Sequence, residues 1–224
     1  MIKKIISRLG ISRLRWHDLK NVNPVSTTFG FDRGTPIDRY YIEKFLKENS
    51  QYISGKVLEV AESHYSKKFG NAVTAYEVLH VEKNKNATII GNLTQEETLP
   101  ANVIDCFICT QVFNFIFEFQ KAIEGAHQLL KPGGVLLATV SGISQISRYD
   151  ADRWGHYWSF YPQGIGKSVK KVFGEDNVII NSYGNSLTAI SFLKGIAMEE
   201  LSEQELNFAD PDYPVSINIV AKKK

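Results

Sequence analysis

The chain has 224 residues, 43% of them hydrophobic and 22% charged, the make-up of an ordinary globular domain with a core of its own. Its net charge of +2 is too small to argue for a nucleic-acid partner, and no apolar run approaches the ~20 residues of a membrane-spanning helix. Two cysteines exclude a disulfide framework. Cys106 and Cys109 stand three apart in "VIDCFICTQV", an expected strand, so they face opposite ways as small buried hydrophobes and not as a redox pair.

The first residues, "MIKKIISRLGISRLRW", put Ile2, Ile5, Ile6 and Leu9 at helical spacing opposite Lys3, Lys4 and Arg8. A long apolar core and a small-residue cleavage site are missing, so these residues are not expected to act as a signal peptide. The segment is expected to dock on its own domain or on a partner; peripheral contact of residues 1–16 with an anionic membrane is the other reading. With the Pro-, Gly- and Thr-rich loop "NVNPVSTTFGFDRGTP" it forms an extension over residues 1–35, ahead of one domain at 36–224.

That domain opens with a helix in "PIDRYYIEKFLKENSQYI", Ile37, Tyr40, Tyr41, Phe45 and Leu46 supplying its buried face and Pro36 its start. Strands then follow at "KVLEV", "AVTAYEVL", "ATIIGNL", "VIDCFICTQV" and "GVLLATVS". A helix, "EFQKAIEGAHQLL", precedes the fifth strand and is expected to stop at "KPGG". "SGISQISRYDADRWGHYWSFYP" is polar and aromatic without periodicity. A helix "IGKSVKKVF", a strand "DNVIINSYG", further helix within 185–213 and a last strand "YPVSINIVAKK" complete the chain. Strands alternating with helices argue for an α/β fold, a largely parallel sheet covered on both faces.

In open α/β sheets, ligands bind beyond the carboxyl ends of the strands. Those positions hold Glu59, Ala61 and Glu62 after the first strand, Glu77 on the second, Asn92 after the third, and Thr110 and Gln111 after the fourth. Carboxylates and amides there suit an amine, ribose hydroxyls and a base edge. For any one of these carboxylates alone, a solvated loop charge would be explanation enough.

In order and spacing, "GKVLEV…FG", an acidic second strand, "ATIIGNLTQEETLP", "IDCFICTQVFNFI" and "LLKPGGVLLATV" resemble a class I S-adenosylmethionine-dependent methyltransferase. "FGFDRGTPIDRYYIEKFL" and "GISQISRYDADRWGHYWSF" resemble a bacterial subgroup often encoded with, or fused to, glycosyltransferases. The likeness covers about residues 28–221 and implies a three-layer Rossmann-like sheet of seven strands, order 3-2-1-4-5-7-6, strand 7 antiparallel, helices on both faces. It implies S-adenosylmethionine as cofactor and S-adenosylhomocysteine as product. By position, Glu59 with the backbone of 60–63 would meet the methionine part, Ala61 and Glu62 lying in that loop. Glu77 would take the ribose hydroxyls, or His80 or Glu82 if the strand ends later. Asn92, where aspartate is more usual, would flank the adenine with Leu93, and Thr110 and Gln111 would floor the sulfonium.

"AESHYSKKFG" has no glycine before Gly70. A pyrophosphate needs glycines for close backbone approach, and Glu59 and Glu62 would repel it. S-adenosylmethionine carries no phosphate and brings an ammonium and a sulfonium, so the loop suits it better than a dinucleotide.

For transfer to a hydroxyl, His156 is the expected general base, with Asp152 and Asp150 as alternatives. Tyr149, Arg153, Trp154, Tyr157 and Trp158 would wall a sugar ring, and Asp38, Arg39 and Tyr40 would come from the helix ahead of the first strand. His64, His80 and His127 are poorer bases, and no His, Cys and carboxylate grouping has metal-ligand spacing. The expected activity is O-methylation of a small molecule or glycan, a sugar in cell-surface glycan synthesis, in the cytoplasm or at the inner membrane face. The expected partner is a glycosyltransferase. The rivals are a non-catalytic scaffold and an NAD or nucleotide-sugar enzyme.

Overall fold

A computed structural model describes residues 20–224. The basic segment at residues 1–16, with its expected docking or membrane role, lies outside the described residues.

Seven strands form one sheet: β1 (Gly55–Val60), β2 (Val73–His80), β3 (Ile89–Ile90), β4 (Ile104–Thr110), β5 (Leu130–Ser141), β6 (Val178–Tyr183) and β7 (Ser216–Lys222). Their spatial order is β3-β2-β1-β4-β5-β7-β6, with β7 antiparallel to both β5 and β6. Helix α1 (Ile37–Glu48) precedes the sheet, and α2 (His64–Phe69) joins β1 to β2. Further on come α3 (Phe119–Leu129), α4 (Arg148–Trp154), α5 (Pro162–Phe173), α6 (Ser186–Lys194) and α7 (Glu203–Asn207). No described helix is long and apolar enough to cross a membrane.

Alternation along the strands divides the core. Val57, Cys106, Ile108 and Leu137 meet Ile42, Phe45 and Leu46 of α1. Leu58, Phe107, Cys109 and Leu136 meet α3 and α5 on the other face. The two buried cysteines therefore fall in different layers, as their spacing requires. Each large side chain buried from α1 contributes about 2 kcal/mol.

Two local expectations change. Tyr40 leaves the buried face of α1 to Ile42, because it sits a third of a turn from the Ile37–Tyr41 stripe. Helix α3 stops at Leu129, just ahead of "KPGG", as expected. β5 begins directly at Leu130, pairs with Ile104, and absorbs a register shift with Gly133 at φ +82°. The segment after β5 contains α4, with Ser147 as its N-cap, accepting from the Asp150 N–H at 3.4 Å.

Residues 25–35, expected to belong to an extension, pack against the segment that follows α6. Val25 N–H donates to Lys194 O at 2.8 Å, Arg33 pairs with Glu200 at 2.6 Å, and Thr35 N–H donates to Glu199 at 2.9 Å. This strap holds the start of α1 over the carboxyl ends of the strands.

Candidate active site

A cleft of about 860 Å³ opens at the carboxyl ends of β1 to β4, within the usual size of small-ligand sites. It is not plugged by the protein's own side chains, which counts against a scaffold that has lost its pocket.

At the tip of β1, Glu59 is only 3% exposed. Its carboxylate accepts the Tyr65 N–H at 3.0 Å, the Ser66 N–H at 2.7 Å and the Ser66 hydroxyl. These are the donors that open α2, whose own N-cap, Ser63, makes no side-chain cap bond. In a dinucleotide site such donors face phosphate. Here a buried carboxylate has them, which disfavours a pyrophosphate at this turn and suits a phosphate-free ligand. Glu59 thus lines the cleft and also braces its own loop.

Ala61 follows at φ +69°, in the left-handed region that favours glycine, its N–H donating to Leu79 O at 3.1 Å. Gln111, just past β4, is also left-handed at φ +55°. Its N–H donates to Thr139 O at 2.8 Å and its amide to the Thr139 hydroxyl at 3.4 Å. Two strained non-glycine residues thus sit at adjacent strand tips facing one cleft. Glu62 and Thr110 join them in the lining.

The second strand corrects another expectation. Glu77 lies inside β2, paired in register with Leu58, and its carboxylate meets Lys56 at 3.4 Å. It does not line the cleft, because β2 runs three residues further to His80. His80 does line it, whereas the Glu82 side chain does not. The Glu82 N–H donates to His80 Nδ1 at 3.0 Å, which puts the proton of the neutral ring on Nε2. Past β3, Asn92 and Leu93 line the cleft as expected. Asn92 Oδ1 accepts the Thr94 N–H and hydroxyl at 3.0 Å each, so this oxygen caps the loop and the amide NH₂ is the group left for a ligand.

The far wall sorts the residues of 147–158. Asp150 and Trp154, four apart on α4, both line the cleft, and Tyr157 joins them. Gly155, at φ +85°, makes room for Tyr157: a Cβ there would stand 2.3 Å from its ring. Several expected residues turn elsewhere. The His156 ring packs edge-on to Phe115, its Nδ1 accepts the Ser147 N–H at 3.3 Å, and it does not line the cleft. Burial lowers its pKa, with Asp150 opposing the shift. Asp152 is exposed outside the cleft. Arg153 lies 3.6 Å above the Tyr149 ring, and neither residue lines the site. Trp158 is structural, its indole N–H donating to Ile116 O and Phe117 O at 3.1 Å each. Tyr40 donates to Asn207 at 3.0 Å, away from the ligand space.

From α1, Asp38 and Arg39 reach the lining. The Asp38 carboxyl accepts the Arg39 N–H at 2.7 Å, and burial pushes its pKa up to about 6 against the opposing effect of Arg39. Tyr65, beside them, is pushed up to about 12, chiefly by burial. A carboxyl with that pKa in a ligand cleft has the properties of a general base near neutrality.

Asn114, which the sequence reading passed over, ties the walls together. Buried in "FNF", its amide donates to Ser141 Oγ at 2.7 Å and to Trp158 O at 2.8 Å, and its backbone oxygen accepts the Tyr157 N–H at 2.9 Å. A lone amide in an apolar run was the available signal.

Residues 52–138 match a family model described as a methyltransferase domain. No curated protein matches the chain in sequence. Among solved structures it is similar to a SAM-dependent methyltransferase from Archaeoglobus fulgidus, with 12% identity and a TM-score of 0.52 over 83% of this chain and 94% of that one. It is also similar to the N-methyltransferase NodS from Bradyrhizobium japonicum WM9 in complex with S-adenosyl-l-homocysteine, with 13% identity and a TM-score of 0.50 over 93% and 96%. The [4+2]-cyclase SpnF matches with 14% identity and a TM-score of 0.54 over 91% and 88%. At such identities these likenesses show the fold alone, and the cyclase is a reminder that this fold does not dictate one reaction. The domain match over residues 52–138 and the shared fold support a class I S-adenosylmethionine-dependent methyltransferase, with S-adenosylmethionine as the cofactor and S-adenosylhomocysteine as the product of such a domain.

Proposed function

We propose that the chain O-methylates a hydroxyl of a small molecule, a sugar of cell-surface glycan synthesis, at the cytoplasmic side of the membrane, alongside a glycosyltransferase. The observation that carries the acceptor class is the far wall, where Asp150, Trp154 and Tyr157 set a carboxylate beside aromatic faces. A sugar matches this pattern with an apolar C–H face and a polar rim. The glycosyltransferase and the glycan setting rest on the resemblance of "GISQISRYDADRWGHYWSF" to its subgroup.

S-adenosylmethionine would supply the methyl group on a positively charged sulfur. Glu62 and the backbone of 61–63 would hold its ammonium end, and the Arg39 guanidinium its carboxylate. His80, donating from Nε2, would take the ribose position first assigned to Glu77. Asn92 and Leu93 would flank the adenine, and Thr110 and Gln111 would floor the sulfonium. Asp38 takes the place first given to His156: its carboxylate would take up the proton of the acceptor hydroxyl.

Calorimetry tests the reading. S-adenosylmethionine and S-adenosylhomocysteine are expected to bind, and NAD to give no heat. Binding of NAD in preference, or silence with both sulfur compounds, sinks it.

A further inference from the structure

The charges around the cleft are lopsided. Among the described residues, Asp38, Glu59, Glu62, Glu118 and Asp150 line it against a single guanidinium, Arg39. Two of these carboxylates are answered within the protein: Glu118 pairs with Lys121 at 2.6 Å, and Glu59 braces α2. Asp38, Glu62 and Asp150 remain against Arg39. The methyl donor carries one net positive charge, so a neutral acceptor would leave surplus negative charge in the closed site.

The surplus is not spread evenly. Helix α4, "RYDADRW", carries two arginines and two aspartates, yet turns only Asp150 and Trp154 to the cleft. Arg153 is folded back over Tyr149, with a 2.6 Å bond to its carbonyl. Trp154 and Tyr157 are each 49% exposed at the mouth, and Phe117, edge-on to Tyr157 at 5.5 Å, is 65% exposed. The Asp150 carboxylate accepts the Ser147 hydroxyl at 2.6 Å and has no cationic partner among the described residues, and aromatic faces beside such a carboxylate are the recognition chemistry of an ammonium group.

Resting on the methyltransfer reading above, we infer that the acceptor carries a protonated amine, as an amino sugar or comparable amino alcohol does, held by Asp150 among Trp154, Tyr157 and Phe117. A nitrogen kept as ammonium has no lone pair to accept a methyl group, so the same contact reserves the reaction for a neighbouring hydroxyl. The amine is a handle and not the point of transfer.

The full-length protein is first titrated with S-adenosylhomocysteine, then, once loaded, with matched probes: D-glucosamine against N-acetyl-D-glucosamine and D-glucose, and trans-4-aminocyclohexanol against 1,4-cyclohexanediol. At pH 7 the cationic member of each set is expected to bind at least tenfold more tightly. Asp150→Asn is expected to erase that preference and Asp150→Glu to retain part of it, both with unchanged S-adenosylhomocysteine affinity. Trp154→Leu should weaken the cations severalfold more than the neutral probes. Equal or tighter binding of the neutral probes, or no cation binding by loaded protein, overturns this inference alone. Failure to bind S-adenosylhomocysteine overturns the methyltransfer reading, and this inference with it.

Discussion

The turn after β1 and the segment after β5 face each other across one cleft and are built on opposite plans. In the first, Glu59 gathers three donors from Tyr65 and Ser66, so the polar groups of the turn are spent on one another. In the second, Ser147 and Asn114 fix the backbone while Trp154 and Tyr157 stay half exposed. A turn that satisfies itself is rigid before any ligand arrives, whereas half-exposed aromatics gain burial only when one does. The first plan suits an invariant cofactor and the second an acceptor that gives the enzyme its specificity.

Breaking the brace tests this contrast most severely. Glu59→Ala leaves buried N–H groups without a partner and is expected to cost about 3 kcal/mol in denaturant unfolding and to abolish S-adenosylhomocysteine binding in calorimetry. Unchanged stability would mean that the turn does not depend on it.

Next comes Asp38, in the first turn of α1. Asp38→Asn should lower kcat about 100-fold, some 2.7 kcal/mol, and remove an acid limb near pH 6, while His156→Ala leaves kcat within twofold. The stability sign follows from the raised pKa. Because the folded carboxyl holds its proton more tightly than the usual 3.8, the contribution is full below about pH 4 and lost as pH rises through 6. With Arg39 and Glu59 near the same cleft wall, the asparagine variant should gain on the order of 1 kcal/mol at pH 7 after solvent screening.

On the cofactor side, His80→Ala should weaken S-adenosylhomocysteine about tenfold, roughly 1.4 kcal/mol, with Glu77→Ala within twofold of the parent. The reverse ranking would restore the first assignment of the ribose partner. The smallest effect is expected from Ala61→Gly, which relieves left-handed strain and should add ~0.5–1 kcal/mol of stability with binding intact.

Much of this protein was legible in order and period. Apolar runs and turn residues located all seven strands, strand ends pointed to Ala61, Glu62, Asn92, Thr110 and Gln111, and the family resemblance added Leu93, all of which line the cleft. Nothing local within "SRYDADRWGHYW" sorts Asp150 from Asp152 or Tyr157 from His156, because the run lacks a period. The short helix α4 does that sorting, and its cap, Ser147, takes effect only once the chain turns there.

The sequence by itself thus determined the layered α/β plan and the line of strand tips, since local periodicity and turn chemistry act over a few residues. Tertiary structure alone decided which tip residues face a ligand and which face the protein. Parallel pairing with β1 carried β2 on to His80 and left Glu77 to Lys56, and the fold of α2 turned Glu59 into a brace. Such outcomes depend on registers and donors supplied from elsewhere in the chain, and a one-residue change of register sends a side chain to the other face.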